Sequence, residues 1–186
     1  MTEMIEIEDN MPDEHNILGV TNWRNYSRNI IDEYNLSQFD YYKQNTMDED
    51  ILRMVSLESK RFGSVSEKIL CHIFNIGPRT STQNDGTRNG KKLEIKAARR
   101  WAGKNDCKWQ HLELEHDYEY VLFALLDFDG WKVWCINKTV LMGVCRDNNI
   151  VTEQGKQGWW CKKSEIQPYL TEIHNTSDLD NFLDTN

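Results

Sequence analysis

Two carboxylates and one ammonium group lie close together in the sequence around a glycine-rich segment. Asp85 is followed, after eight residues, by Glu94, and Lys96 comes two positions later. Mg²⁺ prefers oxygen ligands, keeps several waters and is typically held by one or two carboxylates together with substrate phosphate. Asp85 and Glu94 could supply the carboxylates, and the Ile95 carbonyl could supply a third oxygen. Lys96 could then assist an attacking water or stabilise charge on the phosphate.

A β-hairpin is the element that must bring these side chains together. We expect a first strand to end near Asp85, a turn to span residues 86–90, and a second strand to span residues 91–98. The Asp-Gly and Asn-Gly dipeptides of this turn favour positive φ. Because side chains alternate along a strand, one face should carry Leu93, Ile95 and Ala97, and the other Lys92, Glu94, Lys96 and Ala98. Two carboxylates held this close without a cation repel each other, which predicts a raised carboxylate pKa in the metal-free protein.

Asp85 followed by Glu94-Ile95-Lys96 resembles the motif of the PD-(D/E)xK nuclease superfamily, the group that contains most type II restriction endonucleases. That family often has a glutamate on the helix before the hairpin, which Glu67 matches. Several of its branches have a glutamine on the following strand, which Gln110 matches. One residue departs from the pattern, because Asn84 stands where the family commonly has proline.

The resemblance covers about residues 62–137 and implies a restriction-endonuclease-like α/β core, with a central mixed β-sheet flanked by α-helices. It implies a metal-dependent DNA endonuclease that hydrolyses phosphodiester bonds, uses Mg²⁺ (or Mn²⁺ in its place) and needs no organic cofactor. The catalytic residues would be Asp85, Glu94, Lys96, Glu67 and Gln110, with Asp85, Glu94 and Ile95 at the metal. Because one chain would carry one site, cutting both strands of double-stranded DNA suggests a homodimer on a short palindromic site.

Other interpretations stay open. A structure-specific, viral or repair DNA-processing nuclease of the same superfamily would recognise the shape of its substrate instead of its sequence. A non-catalytic DNA-binding module would use the acidic cluster only as an ion-pair network within a hairpin. Glu67 also has a structural interpretation, since Ser64-Val65-Ser66-Glu67 is typical of a capping box in which the glutamate caps its own helix.

Charge is unevenly distributed along the chain. The net charge is −8, yet residues 1–14 hold six acids, residues 171–186 hold four, and neither segment contains Lys or Arg. Without those 10 acids, 20 acidic residues face 22 basic ones, so the middle of the chain carries +2. A local basic patch is what phosphate binding needs. The candidates for contact with DNA are Arg88, Lys91, Lys92, Arg99, Arg100, Lys104 and Lys108. Trp101, in the same basic loop, could stack on a base or simply be packed.

Length and composition predict one nuclease domain over residues 15–170, between a flexible acidic tail (1–14) and an acidic C-terminal tail (171–186). The five scattered cysteines include no CxxC pair and indicate neither a zinc site nor a disulfide framework. The same cysteine pattern favours a reducing, intracellular setting, cytoplasmic or associated with the nucleoid. We expect no membrane span and no signal peptide.

The remaining pattern predicts the elements around the motif. Helices are expected from about Asn22, from a capping box at Thr46 to near Gly63, and from Ser64. We expect Gln110 and Leu112 on one face of a strand at residues 108–115, and His111 on the other. Further strands are predicted at residues 119–127, covered on both faces, and 131–137. Short helices are expected at 138–145 and 178–183. Residues 155–164 could form a second DNA-contacting arm or a strand held by its tryptophans.

Overall fold

The apolar segment Tyr120–Asp127 is buried along its whole length and forms the middle strand of a five-stranded sheet. The computed structural model describes residues 37–185, so the predicted N-terminal tail and the predicted helix near Asn22 lie outside the described residues. The chain divides into two units, Met1–Ser37 and Gln38–Asn186, of which the second carries the sheet and the motif. The fold is mixed α/β, as the sequence predicts.

The elements of this second unit follow in chain order. The helices are α1 (Gln38–Lys43), α2 (Glu49–Val55), α3 (Ser59–Ile73), α4 (Lys138–Val140), α5 (Lys163–Ile166) and α6 (Thr176–Thr185). The strands are β1 (Gly86–Arg88), β2 (Lys91–Arg99), β3 (Lys108–Leu112), β4 (Tyr120–Asp127), β5 (Gly130–Asn137), β6 (Thr152–Glu153), β7 (Trp159–Lys162) and β8 (Thr171–Glu172). A π-helical turn over Leu141–Cys145 continues α4. Within residues 37–185, no helix is long and apolar enough to cross a membrane.

The main sheet has the strand order β1-β2-β4-β5-β8. Strand β2 runs parallel to β4, and the other neighbouring pairs are antiparallel, which makes the sheet mixed. A second, three-stranded sheet has the order β3-β7-β6. The predicted strand at residues 108–115 therefore ends earlier, at Leu112, and belongs to this second sheet.

The motif hairpin forms, but its boundaries differ from the prediction. Asn89 and Gly90 have φ values of +49° and +75° and make a two-residue turn, so β1 follows Asp85 and does not end there. Gly86 lies in β1 and not in the turn. A Cβ at Gly86 would come within 2.7 Å of the Gly77 carbonyl oxygen, so this glycine permits close packing of two backbone segments.

Both predicted capping boxes are wrong. Asp48, not Thr46, caps α2 by accepting hydrogen bonds from the backbone N–H groups of Asp50 and Ile51. Helix α2 ends at Val55, and α3 begins at Ser59 and continues through Gly63 and Ser64. Glu67 therefore lies in the middle of α3 and cannot cap its N-terminus.

The two faces of β4 pack against different layers. Tyr120, Leu122 and Ala124 pack in one cluster with Leu70 of α3 and with Leu93 and Ile95 of β2. Val121, Phe123 and Leu125 pack in another cluster with residues of the second sheet, among them Trp109 and Cys161. Ala98 belongs to this second cluster, which confirms the predicted alternation along β2.

The acidic C-terminal segment is part of the same unit. Strand β8 pairs with β5, and Leu179 and Leu183 of α6 are buried against the main sheet. The helix predicted at residues 178–183 is confirmed and is longer than expected. Residues 155–164 contain β7, which agrees with the predicted strand held by its tryptophans.

Candidate active site

A cleft of about 800 Å³ lies along the edge of β2 next to the motif. Strand β1 pairs with residues 91–93 of β2, so the edge of β2 from Glu94 onward extends past the end of β1. Helix α3 lines one side of the cleft and β3 the other. Asp85, Lys96, Glu67 and Gln110 all line it, so the structure brings together four of the five predicted catalytic residues.

Asp85 is fixed to the backbone of β2. Its Oδ2 accepts a hydrogen bond of 2.8 Å from the Ile95 N–H, and its own N–H donates to the Leu93 carbonyl at 2.9 Å. In a strand, the N–H and C=O of one residue point to the same side. The Ile95 carbonyl therefore points to the same edge as the Asp85 carboxylate, as a shared metal site would need.

Asn84 holds the chain just before Asp85. Its side chain is 2% exposed and accepts a hydrogen bond from the Thr80 N–H at 3.1 Å. Its amide donates to the Thr80 and Ser81 hydroxyls at 3.0 and 3.2 Å. These bonds close the loop over residues 80–84. A buried polar network of this kind fixes the backbone at the position where the resembled family commonly has proline.

Glu94 lies beneath Lys96 on the same face of β2. The Lys96 Nζ is 2.5 Å from the Glu94 Oε1, and the Glu94 side chain is 6% exposed against 21% for Lys96. Burial raises the pKa of Glu94, Lys96 opposes that shift and Asp85 adds to it. The predicted raised carboxylate pKa is thus confirmed, although burial contributes more than repulsion from the second carboxylate. Glu94 contacts the cleft through Lys96, because Glu94 is not among the residues that line the cleft.

Glu67 belongs to the same electrostatic group. Burial raises its pKa and Asp85 raises it further, while Lys96 and Arg79 act in the opposite direction. A carboxylate on the middle of a helix, half-buried and facing a second carboxylate, has no role in capping. This arrangement favours the functional interpretation of Glu67 over the structural one.

The end of β3 places two polar side chains in the cleft. His111 has a φ of +57°, and the pairing with β7 shifts between Trp109 and Leu112. This bulge turns both Gln110 and His111 outward, whereas Leu112 is buried. The prediction that Gln110 and Leu112 share a face opposite His111 is therefore wrong. His111 also lines the cleft, with its Nδ1 3.2 Å from the Gln157 carbonyl oxygen.

Of the seven predicted DNA-contacting residues, two line the cleft, four form ion pairs and one, Lys104, lies over an aromatic ring. Arg99 and Lys108 line the cleft, as does Lys60, which the sequence did not single out. Arg88 instead forms a bidentate ion pair with Asp180, with bonds of 2.6 and 2.7 Å. Arg100 is joined in the same way to the buried Asp127.

The other three candidates lie outside the cleft lining. Lys91 is 3.4 Å from Glu119, and Lys92 is 2.5 Å from Asp117. The Lys104 ammonium lies 5.9 Å from the ring centroid of Trp101, which itself lines the cleft. Four basic side chains line the cleft, Lys60, Lys96, Arg99 and Lys108, and one of them, Lys96, is paired with Glu94.

The oxygen atoms beside β2 suit a hard divalent cation. Among residues 37–185, no group of three His, Cys, Asp or Glu side chains converges on one point as a ready cation site. The donors are two carboxylates, from Asp85 and Glu94, and one backbone carbonyl, from Ile95. Mg²⁺ is commonly held by one or two carboxylates and retains water in its other positions. This donor set fits such an ion if the ion takes the place of the Lys96 ammonium beside the Glu94 carboxylate.

No protein-family model matches this chain, and no curated protein matches it. Function is therefore inferred from the geometry and chemistry of the cleft.

Proposed function

We propose that this chain is a metal-dependent DNA endonuclease that hydrolyses phosphodiester bonds in the cleft beside β2. The hydrogen bond from the Ile95 N–H to Asp85 carries the proposal, because it holds one carboxylate against the strand that bears Glu94 and Lys96. This arrangement is what the PD-(D/E)xK resemblance requires of these three side chains.

Asp85, Glu94 and the Ile95 carbonyl would hold the cation. When bound, Mg²⁺ would supply a Lewis acid for a phosphate oxygen and lower the pKa of a bound water. The raised pKa of Glu94 is consistent with a site that binds positive charge, since the buried carboxylate is stabilised by any cation placed beside it.

The chain's own groups would carry the proton and charge movements. A water oxygen would bond to phosphorus as its proton passes to the Glu67 carboxylate. The bond from phosphorus to the leaving sugar oxygen would break, and that oxygen would take a proton from solvent water. Glu67 suits this role because its raised pKa makes it a stronger base than an ordinary carboxylate. Lys96, once released from Glu94, would stabilise charge on the phosphate, and the Gln110 amide would donate to a phosphate oxygen.

Substrate binding would depend on the phosphate backbone. Lys60, Arg99 and Lys108 line the cleft and could neutralise phosphates on either side of the scissile bond. One cleft per chain would require two copies to cut both strands of double-stranded DNA, so we propose a homodimer. Light scattering that showed a monomer both alone and with DNA would contradict the dimer.

Cleavage of supercoiled plasmid and genomic DNA tests the proposal. We expect Mg²⁺-dependent products with the natural protein, none with Glu94→Gln, and unchanged products with the control Glu153→Gln, which alters an exposed carboxylate on β6. Discrete fragments would indicate a sequence-specific enzyme, and preference for junctions or ends a structure-specific one. Absence of cleavage with both Mg²⁺ and Mn²⁺ would contradict the proposal.

The ion pair between Glu94 and Lys96 supports a second candidate, a DNA-binding module without catalysis. In that case, the Lys96 ammonium, 2.5 Å from the Glu94 carboxylate, would serve only to neutralise that buried charge. This candidate predicts DNA binding that does not respond to divalent cations. It also predicts that Lys96→Ala changes affinity without abolishing any reaction.

A further inference from the structure

The outer face of the second sheet carries an aromatic ring between two lysines. Trp109 and Cys161 are directly paired and face the core, so side chains one position away on each strand face outward. Lys108 and Lys162 are register partners there, and Trp160 lies two positions before Lys162 on the same face. Trp159 packs against the core, whereas Trp160 is on the opposite side of its strand and partly exposed.

Both ammonium groups lie over the Trp160 ring. The Lys108 Nζ is 3.7 Å from the ring centroid and the Lys162 Nζ is 5.9 Å from it. Lys162 is also paired with Glu165 at 2.7 Å. Two like charges placed directly opposite each other across a strand pair are destabilising. The Trp160 ring and Glu165 offset part of this repulsion, and a bound anion would offset more of it.

This face continues from the cleft. Lys108 belongs to both, because it lines the cleft and covers the Trp160 ring. Gln110, on the same strand, also faces outward into the cleft. A strand of nucleic acid that leaves the cleft past β3 would therefore pass directly over Trp160.

We propose that Trp160, with Lys108 and Lys162, binds an unpaired nucleotide of a single-stranded DNA segment next to the cleavage site. The base would take the place of the Lys108 ammonium over the indole ring, and both lysines would contact the flanking phosphates, which is how aromatic and basic side chains commonly bind single strands. Bases within a duplex are stacked on one another and cannot use such a ring. This inference rests on the proposed nuclease function and specifies its substrate as DNA in which a duplex joins a single strand.

Binding without cleavage tests this inference separately from catalysis. Fluorescence anisotropy in EDTA would compare labelled blunt duplex, single strand, and duplex with a single-stranded overhang. We expect Trp160→Ala to weaken binding of the single strand and the overhang about tenfold, the scale of one base–aromatic stack, with blunt duplex unchanged. Trp160→Phe keeps an aromatic face and should retain most of the affinity. Thermal unfolding of both variants would verify that they are folded.

The outcomes separate the two proposals. If Trp160→Ala binds each of the three probes as tightly as the natural protein does, the stacking site is overturned, whatever the cleavage assay shows. An equal loss on all three probes would also overturn it, because it would indicate general backbone contact. Selective loss of single-strand binding in a protein that cleaves no DNA would support the stacking site and contradict the nuclease. As a second test, Lys162→Gln should lower the salt dependence of single-strand binding, because its exposed pair with Glu165 can open to a phosphate, with no such change for the blunt duplex. An unchanged salt dependence would overturn the contact with Lys162.

Discussion

The carboxylate of Asp85 accepts a hydrogen bond from the backbone N–H of Ile95 at 2.8 Å. Asp85 lies just before β1, so its side chain binds the edge of β2 immediately past the end of the β1 pairing. The position of the acid is therefore set by the backbone of the strand that carries Glu94 and Lys96. A site built on a strand and held by such a bond keeps its geometry better than one on a mobile loop.

Replacement of Asp85 by asparagine should separate folding from chemistry. An asparagine oxygen can still accept from the Ile95 N–H, so we expect a nearly unchanged unfolding temperature. The negative charge needed for the cation is lost, and cleavage should be at least about 100-fold slower, on the scale of removing one electrostatic group from an active site. Asp85→Ala, which also loses the hydrogen bond, should be equally inactive but less stable. Activity of Asp85→Asn close to that of the natural protein would exclude a role in metal binding.

Metal-free Glu94→Gln should be more stable than the natural protein at neutral pH. Burial raises the pKa of Glu94 above its unfolded value, so the folded state holds the proton more tightly. Stability therefore falls as pH rises from the unfolded pKa through the folded pKa. The amide avoids this cost, so Glu94→Gln should unfold at a higher temperature than the natural protein. The difference should disappear below pH 4.5, the ordinary pKa of Glu94, where both states are protonated.

Mg²⁺ provides the matched comparison for this variant. A ligand that binds the folded state raises the unfolding temperature, so Mg²⁺ should stabilise the natural protein and leave Glu94→Gln unchanged. Equal stabilisation of both proteins by Mg²⁺ would place the cation elsewhere.

Asp127→Asn should destabilise the fold without a direct effect on chemistry. Burial alone would raise the pKa of Asp127, but hydrogen bonds from Arg100 and Lys132 outweigh it and lower the pKa to about 2. The stability that this shift contributes is present above pH 3.8 and is lost as pH falls through about 2. We expect urea denaturation at neutral pH to show a loss of about 3 kcal/mol, because Arg100 keeps a buried charge without its partner.

An exposed aspartate in the same turn is the control for Asp127. The side chain of Asp129 is 75% exposed and lies 3.8 Å from Lys132. Asp129→Asn should change the unfolding free energy by less than about 0.5 kcal/mol. Equal effects of the two substitutions would show that the buried Arg100–Asp127 pair does not support the fold.

Lys60→Gln should weaken DNA binding, whereas Arg88→Gln should not. Lys60 lines the cleft, and each phosphate contact that is lost should reduce the slope of log affinity against log salt by about 0.9. Arg88 is committed to Asp180 on α6, so its replacement should lower stability and leave that slope unchanged. Anisotropy titrations at several salt concentrations measure the slope for both variants. A smaller slope for Arg88→Gln would show that the hairpin turn contacts DNA.

Two glycines should respond to alanine in opposite ways. Gly86→Ala places a Cβ 2.7 Å from the Gly77 carbonyl oxygen and should cost about 1–3 kcal/mol, as overpacked sites do. Gly63, within α3, has no atom within 4 Å of such a Cβ, so Gly63→Ala should stabilise the protein by about 0.5–1 kcal/mol. Chemical denaturation of both variants measures the contrast, and a destabilised Gly63→Ala would contradict the assigned helix.

Elements with a strong local signal were predictable from the sequence. A continuous apolar segment identified β4, and Asn89-Gly90 identified the hairpin turn because both residues adopt positive φ. The spacing of Asp85, Glu94 and Lys96 predicted that the three lie close together, and Asp85 is bonded to the strand that carries the other two. The Ser64 capping pattern is misleading, because α3 begins earlier, at Ser59. Its buried residues are Phe62, Ser66 and Leu70, so the buried face already starts before Ser64.

Contacts between distant residues could not be predicted in this way. Arg88 and Asp180 are separated by 92 positions, and Arg100 and Asp127 by 27, so their ion pairs depend on the tertiary fold. Local charge alone made both arginines candidates for DNA contact. The bulge at His111 likewise reflects pairing with β7 and has no signal in the residues of β3.

A count of bound cations tests the central claim most directly. Electron paramagnetic resonance would measure Mn²⁺ binding to the natural protein, to Asp85→Asn and to Glu94→Gln, with Mg²⁺ as competitor. The proposed site predicts a Mn²⁺ ion on the natural protein that Mg²⁺ displaces and that both variants lose while remaining folded. Unchanged Mn²⁺ binding by the two variants, or cleavage of DNA without any bound cation, would contradict it.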